Sequence, residues 1–396
     1  MISVEEALAL VFKNSFAITK TEKLPLAQCL NKILANSIEA PLNLPSYKLS
    51  SMDGYALNLH DAHEYSIVGE VKAGDSINPK LEIGECVRIF TGAVVPDSAN
   101  AVVMQEKTTT DGNRIKIDTV IKSGDNIRPV GSQVKKGSFP LKKGQVLQAS
   151  GMAFLQSLGI QQVEVFKAPK VTLVLTGNEL ISSHEKLTRG KIYESNSILL
   201  EAALHQQGIE TQRISFTEDT LKGTIEVLKK AFLSSDVVLV SGGISVGDYD
   251  FVKQALEALK VKEVFYKVRQ RPGKPLFFGK KENRFVFALP GNPASTLSCF
   301  YVYVLPLLAR LRGSQSQGLI RVSMPLTHDF HSKEPRALFL KAHVENKTVT
   351  VLDGQHSSML VSFARANALV YIPENGVSLK KGASVEVLLL PNIILT

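Results

Sequence analysis

The hydrophobic pattern changes period several times along the chain, and the changes divide it into zones. The opening run, MISVEEALALVFKN, spaces its apolar residues at three and four, the period of an amphipathic helix. Ser3 and Glu6 have capping-box spacing ahead of Ala7, Leu8 and Val11. Pro41 and Pro45 break the periodicity and close this zone. Over 46–138 the pattern shortens to alternating runs, SIVGEV, CVRIF, AVVMQE and RIKIDTVI, separated by glycine and Asx turns. Asp111-Gly112 between two such runs predicts a hairpin, and the zone is expected to be all-β or nearly so. In 139–167, LKKGQVL reads as a strand and SGMAFLQSLGI as a helix closed by Gly159. This segment is expected to pack back on 1–45, giving an elongated, discontinuous first domain.

Over 168–313 strands and helices alternate: KVTLVLTG, SILLEAALHQQG, IETQRISF, DTLKGTIEVLKKAF, DVVLVSGG and FVKQALEALK. This predicts an α/β unit on a doubly wound parallel sheet with helices on both faces. The tail, 314–396, returns to short strands, and a small β-barrel or sandwich is expected. The fold class is therefore multidomain α/β plus β. The most apolar stretch, 299–309, falls short of the ~20 residues of a membrane span. It contains Pro306 and follows a Pro-Gly-Asn-Pro turn, so it reads as a buried core helix.

Composition narrows the partners. With 396 residues, 44% apolar and 21% charged, the chain has the make-up of a soluble multidomain protein. Lys+Arg outnumber Asp+Glu by 46 to 37, and the net charge of +9 favours anionic partners. The lysines fall in scattered pairs and there is no tryptophan, which argues against nucleic acid. Cys29, Cys86 and Cys299 are far apart, so neither a zinc motif nor a disulfide framework is expected. The acidic start lacks a basic n-region and is not a signal peptide. A cytoplasmic protein without membrane association is expected.

Five segments are candidates for chemistry. SGGISVGDYD, 241–250, follows a buried strand and precedes a helix; Gly242, Gly243 and Gly247, with Ser245 and Asp248 on the same loop, suit a phosphate or a pterin. Asp248 and Asp250 would repel phosphate without a divalent cation between them. Asp250 is therefore either a magnesium ligand or the cap of the helix that follows. LTGNELI ends the first strand of the same unit and offers Glu179 as acid, base or substrate ligand, or only as a solvated turn residue. KVRQRPGKP concentrates Lys267, Arg269, Arg271 and Lys274, a set suited to a tetrahedral oxyanion or, more plainly, a solvated basic turn. In LPGNPAS, Pro290, Gly291, Asn292 and Pro293 make a rigid turn into a helix whose free N–H groups suit an anion. SSMDGYA and FTGA, holding Asp53 and Thr91, are undecided on their own residues.

SSMDGYA, FTGA, GDNIRPVG, LTGNEL, IYESN, SGGISVGDYD, RPGKP, LPGNP and SSMLVSFARANAL occur in this order over nearly the whole chain. Together they resemble the molybdopterin molybdenumtransferase family, to which the C-terminal domain of gephyrin also belongs. The resemblance implies an elongated homodimer of four-domain subunits, with domain I at 1–45 and 139–167, domain II at 46–138, domain III at 168–313 and domain IV at 314–396. Domain III is expected to be like the molybdopterin adenylyltransferase that acts one step earlier. The implied reaction takes adenylylated molybdopterin and molybdate, with Mg²⁺, to molybdenum cofactor and AMP.

By motif, the resemblance makes Asp53, Thr91, Glu179, Asp219 and Asp250 functional positions. Lys267 and Arg271 match basic site positions, and Ser357 a serine near molybdate. Asp53 and Thr91 are expected to complete the partner subunit's cleft. Gln133 and Asn178, like Glu194, stand where aspartate is common in the family, and Lys341 where arginine is frequent; Lys341 keeps the charge of a substrate-binding position without the bidentate fork. The upstream adenylyltransferase and downstream molybdoenzymes or their chaperones are the expected handover partners. The rival readings are an adenylyltransferase, which needs only domain III, and a non-catalytic gephyrin-like scaffold.

Overall fold

The computed structural model describes residues 1–17, 20–244, 251–314 and 318–391. The first helix, Val4–Asn14, begins with the expected capping box: Ser3 Oγ accepts from the Glu6 backbone N–H at 3.1 Å, and Glu6 accepts from the Ser3 N–H at 2.7 Å. Its buried stripe, Val4, Ala7 and Val11, joins the core of the α/β unit and not that of the segment that follows it. Thr21–Pro25 instead pairs antiparallel with Gln162–Phe166, and bridges at Ile33–Val146, Leu34–Val165 and Ile38–Leu141 continue the association. Leu26, Leu34, Leu147, Leu155 and Val165 form a separate core there. The stretch expected as one strand, LKKGQVL, is two isolated bridges either side of a turn in which Gly144 has φ +83°. The helix after it spans Ala149–Ser157.

The second zone folds into a six-stranded sheet, with Gly54–Leu57 between Glu85–Ile89 and Ala101–Met104. A Cβ at Gly54 would meet the Val103 carbonyl oxygen at 1.8 Å, so the glycine after Asp53 is fixed by strand packing. The Asp111-Gly112 hairpin forms between Thr108–Asp111 and Arg114–Ile117.

The α/β unit carries a second six-stranded sheet. Val171–Thr176, Thr211–Thr217, Val237–Ser241 and Arg284–Leu289 run parallel, as the alternation predicts. Phe277–Lys281 and Lys262–Tyr266 extend it antiparallel, through a hairpin at 282–283 that carries no Asn-Gly signal. Helices Asn196–Gln206, Leu221–Ser234 and Phe251–Ala258 pack on it. Residues 293–311 are continuously helical, with a π-helical turn at Phe300–Val304. This helix is long and apolar enough to cross a membrane, yet its most apolar window is 83% buried, which makes it the core helix.

In the last zone Ala337–Glu345, Ala368–Ile372, Ser384–Leu389 and Arg321–Pro325 are neighbours in that order, and Thr348–Val351 pairs back on Ala337–Glu345. A parallel bridge between Leu326 and Val349 joins the two ends, so the strands close into a small barrel. Gln270–Arg271 of the α/β unit pairs with Ala337–Leu338, which ties the two units together.

Candidate functional site

The carboxyl ends of the parallel strands open into a cavity of about 460 Å³. Gly242 and Gly243 line its floor with φ of +95° and +59°. A Cβ on Gly242 would meet the Thr176 carbonyl oxygen at 2.4 Å, so only glycine fits where these strand ends converge. Gly291, from the Pro290–Pro293 turn, lies against Gly242; a Cβ there would sit 3.7 Å from the Gly242 Cα. Asn196 ties the turns together, its Nδ2 donating to Ser241 Oγ at 2.8 Å and to the Gly291 carbonyl at 2.7 Å. Its Oδ1 is buried without a hydrogen-bond partner among the described residues.

Asp219 reaches this cavity from beyond Thr211–Thr217. One of its oxygens accepts from Thr176 Oγ1 at 2.6 Å and the other from the Asn178 N–H at 3.1 Å, so it fixes the strand-end loop. Glu194 accepts from the backbone N–H groups of Asn196 and Ser197 and caps helix Asn196–Gln206. Glu179 also lines the cavity, and its carboxylate accepts no hydrogen bond among the described residues.

A second cavity of about 250 Å³ adjoins the first and shares Pro275, Pro290 and Asn292 with it. Arg271, Lys274, Arg336, His356 and Ser357 line it. Asn292 Nδ2 donates to Ser357 Oγ at 3.1 Å, linking the helix-start turn to the barrel loop. Arg336 makes a two-pronged ion pair with Glu334 at 2.7 and 2.8 Å, and Arg271 Nη1 lies 3.4 Å from the same carboxylate. Those bonds, from Arg336 first, pull the Glu334 carboxyl down to about 2, against the upward pull of burial. The second cavity is thus a cationic cradle steadied by one carboxylate.

Two expected ligands lie elsewhere. Lys341 is buried, 3% exposed, and its ammonium donates to the carbonyls of Gly354, His356 and Met359 at 2.6, 3.1 and 3.1 Å. All three of its protons are engaged by the loop that carries Ser357. Lys267 lines neither cavity; its Nζ sits 4.7 Å from the Tyr266 ring centroid. Asp53 and Thr91, 38 residues apart in the chain, meet on the exposed face of the second zone. Asp53 Oδ1 accepts from the Thr91 N–H at 2.7 Å and its hydroxyl at 2.8 Å, and these bonds lower the Asp53 carboxyl pKa. Neither residue lines the two cavities described above. Ser245, Gly247, Asp248 and Asp250 lie outside the described residues.

Sequence reasoning passed over Asn196, Arg336, His356 and Gln270. Asn196 closes the IYESN run, which was visible; a buried glutamine inside a basic run gives no sequence signal.

Family models match along the chain: the MoeA N-terminal region (domain I and II) over 2–159, a probable molybdopterin binding domain over 172–310, and the MoeA C-terminal region (domain IV) over 323–390. The chain is 31% identical to a Staphylococcus epidermidis molybdopterin molybdenumtransferase over 98% of its own length and 95% of the relative's. It is 36% identical to the Haemophilus influenzae protein of that name, covering 80% and 79% of the two chains. The crystal structure of a molybdopterin biosynthesis MoeA protein from Pyrococcus horikoshii superposes with a TM-score of 0.85 at 30% identity, covering 98% and 100% of the two chains.

Proposed function

The chain belongs to the molybdopterin molybdenumtransferase family and is an enzyme of molybdenum cofactor biosynthesis, and we propose that its two adjoining cavities divide the reaction between them. The larger cavity takes adenylylated molybdopterin, with its phosphates on the turns at 242–243 and 290–293. There, glycine backbone can approach an anion closely, and the 290–293 turn leads into a helix N-terminus. The smaller cavity takes molybdate, held by Arg271, Lys274 and Ser357 with Arg336 beside them; guanidinium forks and a compact ammonium suit a tetrahedral dianion. The observation that carries this reading is the shared wall of Pro275, Pro290 and Asn292, which puts the two cavities side by side.

Of the acids, Glu179 is the one placed to move protons as oxo groups leave as water, because Asp219 is engaged through both oxygens. Mg²⁺ takes one or two carboxylates plus phosphate oxygens, and Asp250 with the substrate's phosphates would hold it. When bound, Mg²⁺ neutralises the phosphoanhydride that is broken to give AMP. Asp53 and Thr91 act on the partner subunit's cleft in a homodimer, a reading supported by their exposure and their absence from the two cavities described above. The domain bounds are those given above, with the first helix docked on domain III. The protein works in the cytoplasm, receiving its pterin from the adenylyltransferase and passing cofactor to molybdoenzymes or their chaperones.

An adenylyltransferase would have no use for the barrel, yet Arg336, His356 and Ser357 of the barrel line the smaller cavity. The test is turnover of purified protein with adenylylated molybdopterin, Mg²⁺ and molybdate, following AMP release and activation of a cofactor-free molybdoenzyme. Both signals are expected only with molybdate; AMP release that ignores molybdate would refute the proposal.

A further inference from the structure

We propose that Gln270 and Tyr303 are positioning residues for the oxyanion, shaping the Arg271–Lys274 turn from inside the core. The proposal rests on the reading of the smaller cavity as the molybdate site. Gln270 sits between two arginines in a basic run, yet its residue exposure is 0%. Its Nε2 donates to the carbonyls of Pro272 at 3.1 Å and Gly273 at 3.2 Å, and lies 3.5 Å from Cys299 Sγ. Its Oε1 accepts from the Tyr303 hydroxyl. This pattern fixes the amide's orientation, since a flipped amide would face two carbonyl oxygens with a third acceptor.

Tyr303 is also fully buried and lies on the π-helical turn Phe300–Val304. A π turn shifts side chains out of α-helical register and is frequent at functional sites; here the hydroxyl of a residue on it meets Gln270. The basic turn is pressed onto this pair. Gly273 has φ +86°, and a Cβ on it would come within 2.5 Å of Cys299 Sγ and 3.0 Å of Gln270 Nε2. The strand Gln270–Arg271 is hydrogen-bonded to the barrel, so the brace stands where the two units supplying the cradle meet.

The chemical consequence concerns lone pairs. Gln270 engages the carbonyl oxygens of Pro272 and Gly273 within the core. An oxyanion at the turn therefore meets Arg271 and Lys274 and not two acceptor oxygens. Without the amide, the Pro272 carbonyl loses its donor and the Gly273 carbonyl keeps the weak Cys299 S–H contact at 3.9 Å, so they turn toward water in the cavity, where they repel an anion.

The test compares full-length wild type with Gln270→Met, Tyr303→Phe and the double variant. Steady-state kinetics in both substrates, calorimetric molybdate binding and thermal midpoints would be measured. Gln270→Met is expected to raise the molybdate KM and Kd about tenfold, leaving the KM for adenylylated molybdopterin within about twofold. Tyr303→Phe, the milder change, is expected to raise the molybdate constants about threefold. The double variant should be no worse than Gln270→Met, because both changes act through one amide. Unchanged molybdate constants with a lowered thermal midpoint, in Tyr303→Phe alone if Gln270→Met does not fold, would overturn the proposal and leave a packing role. A wild type that neither binds molybdate nor needs it for turnover would instead remove the reading of the cavity itself.

Discussion

Replacing Lys341 by methionine removes the ammonium but keeps most of the side-chain volume. Three charge-assisted hydrogen bonds are lost, to the carbonyls of Gly354, His356 and Met359. The Met359 N–H still donates to the His356 carbonyl at 3.1 Å, but the single Ser362 hydroxyl proton serves only one of the Gly354 and Met359 carbonyls, 2.7 and 3.0 Å away, so one of those two is stranded. Each bond to a charged group is worth about 1.5–3 kcal/mol, and an orphaned buried acceptor costs about 1–3 kcal/mol. Against this, the buried ammonium, whose pKa is lowered by desolvation, no longer has to be taken out of water. The balance is a loop destabilised by about 2–3 kcal/mol, or roughly 30- to 150-fold more frequent opening. Hydrogen exchange of amides 354–360 should accelerate by that factor while the parallel sheet stays protected. The molybdate KM should rise with it, through loss of the Asn292–Ser357 contact. Lys341→Arg, which restores donors and charge, should recover most of both. Unchanged exchange at 354–360 in Lys341→Met would refute the reasoning and return Lys341 to the list of direct ligands.

Three further outcomes are expected. Gly242→Ala places a Cβ 2.4 Å from a backbone oxygen at positive φ, and should abolish pterin binding, read by calorimetry, while Gly291→Ala, whose Cβ meets only ordinary contact at 3.7 Å, should weaken it less. Asp53→Asn and Glu179→Gln should each be inactive as pure dimers, yet a mixture refolded together should regain activity, because hybrid dimers hold one intact cleft; no recovery would argue against cleft sharing. Glu334 titrates near 2 in the folded chain against about 4.3 in an unfolded one, so its stabilisation is complete above the unfolded value and is lost as pH falls toward 2. Denaturant titrations should show Glu334→Gln less stable than wild type at pH 6, with the gap closing below about pH 4.

Much of this was readable from residue order alone. Local signals succeeded where the physics is local: Ser3 and Glu6 make their capping box, Asp111-Gly112 its hairpin, and the glycine after each strand its turn. The signals failed where a partner distant in sequence decides. The stripe Val4, Ala7 and Val11 says that the first helix must be covered, but not that the α/β unit covers it. The charge of Lys341 suggested an anion, but three converging carbonyls from a loop 13 to 18 residues away engage it. Arg336 looked like any residue at a strand start until Glu334 and the basic turn came together around it. Asp53 and Thr91 found each other in the fold, and the sequence contained no reason for them to do so beyond the family's motif.

The most direct test of the two-cavity account is a crystal of the full-length protein grown with adenylylated molybdopterin and tungstate, a heavy tetrahedral stand-in for molybdate. The account predicts an anomalous peak bounded by Arg271, Lys274 and Ser357, with density for the phosphates of the pterin substrate against Gly242, Gly243 and Gly291 on the far side of Asn292. A peak at Lys267 or elsewhere on the surface, with the smaller cavity filled by solvent, would contradict it.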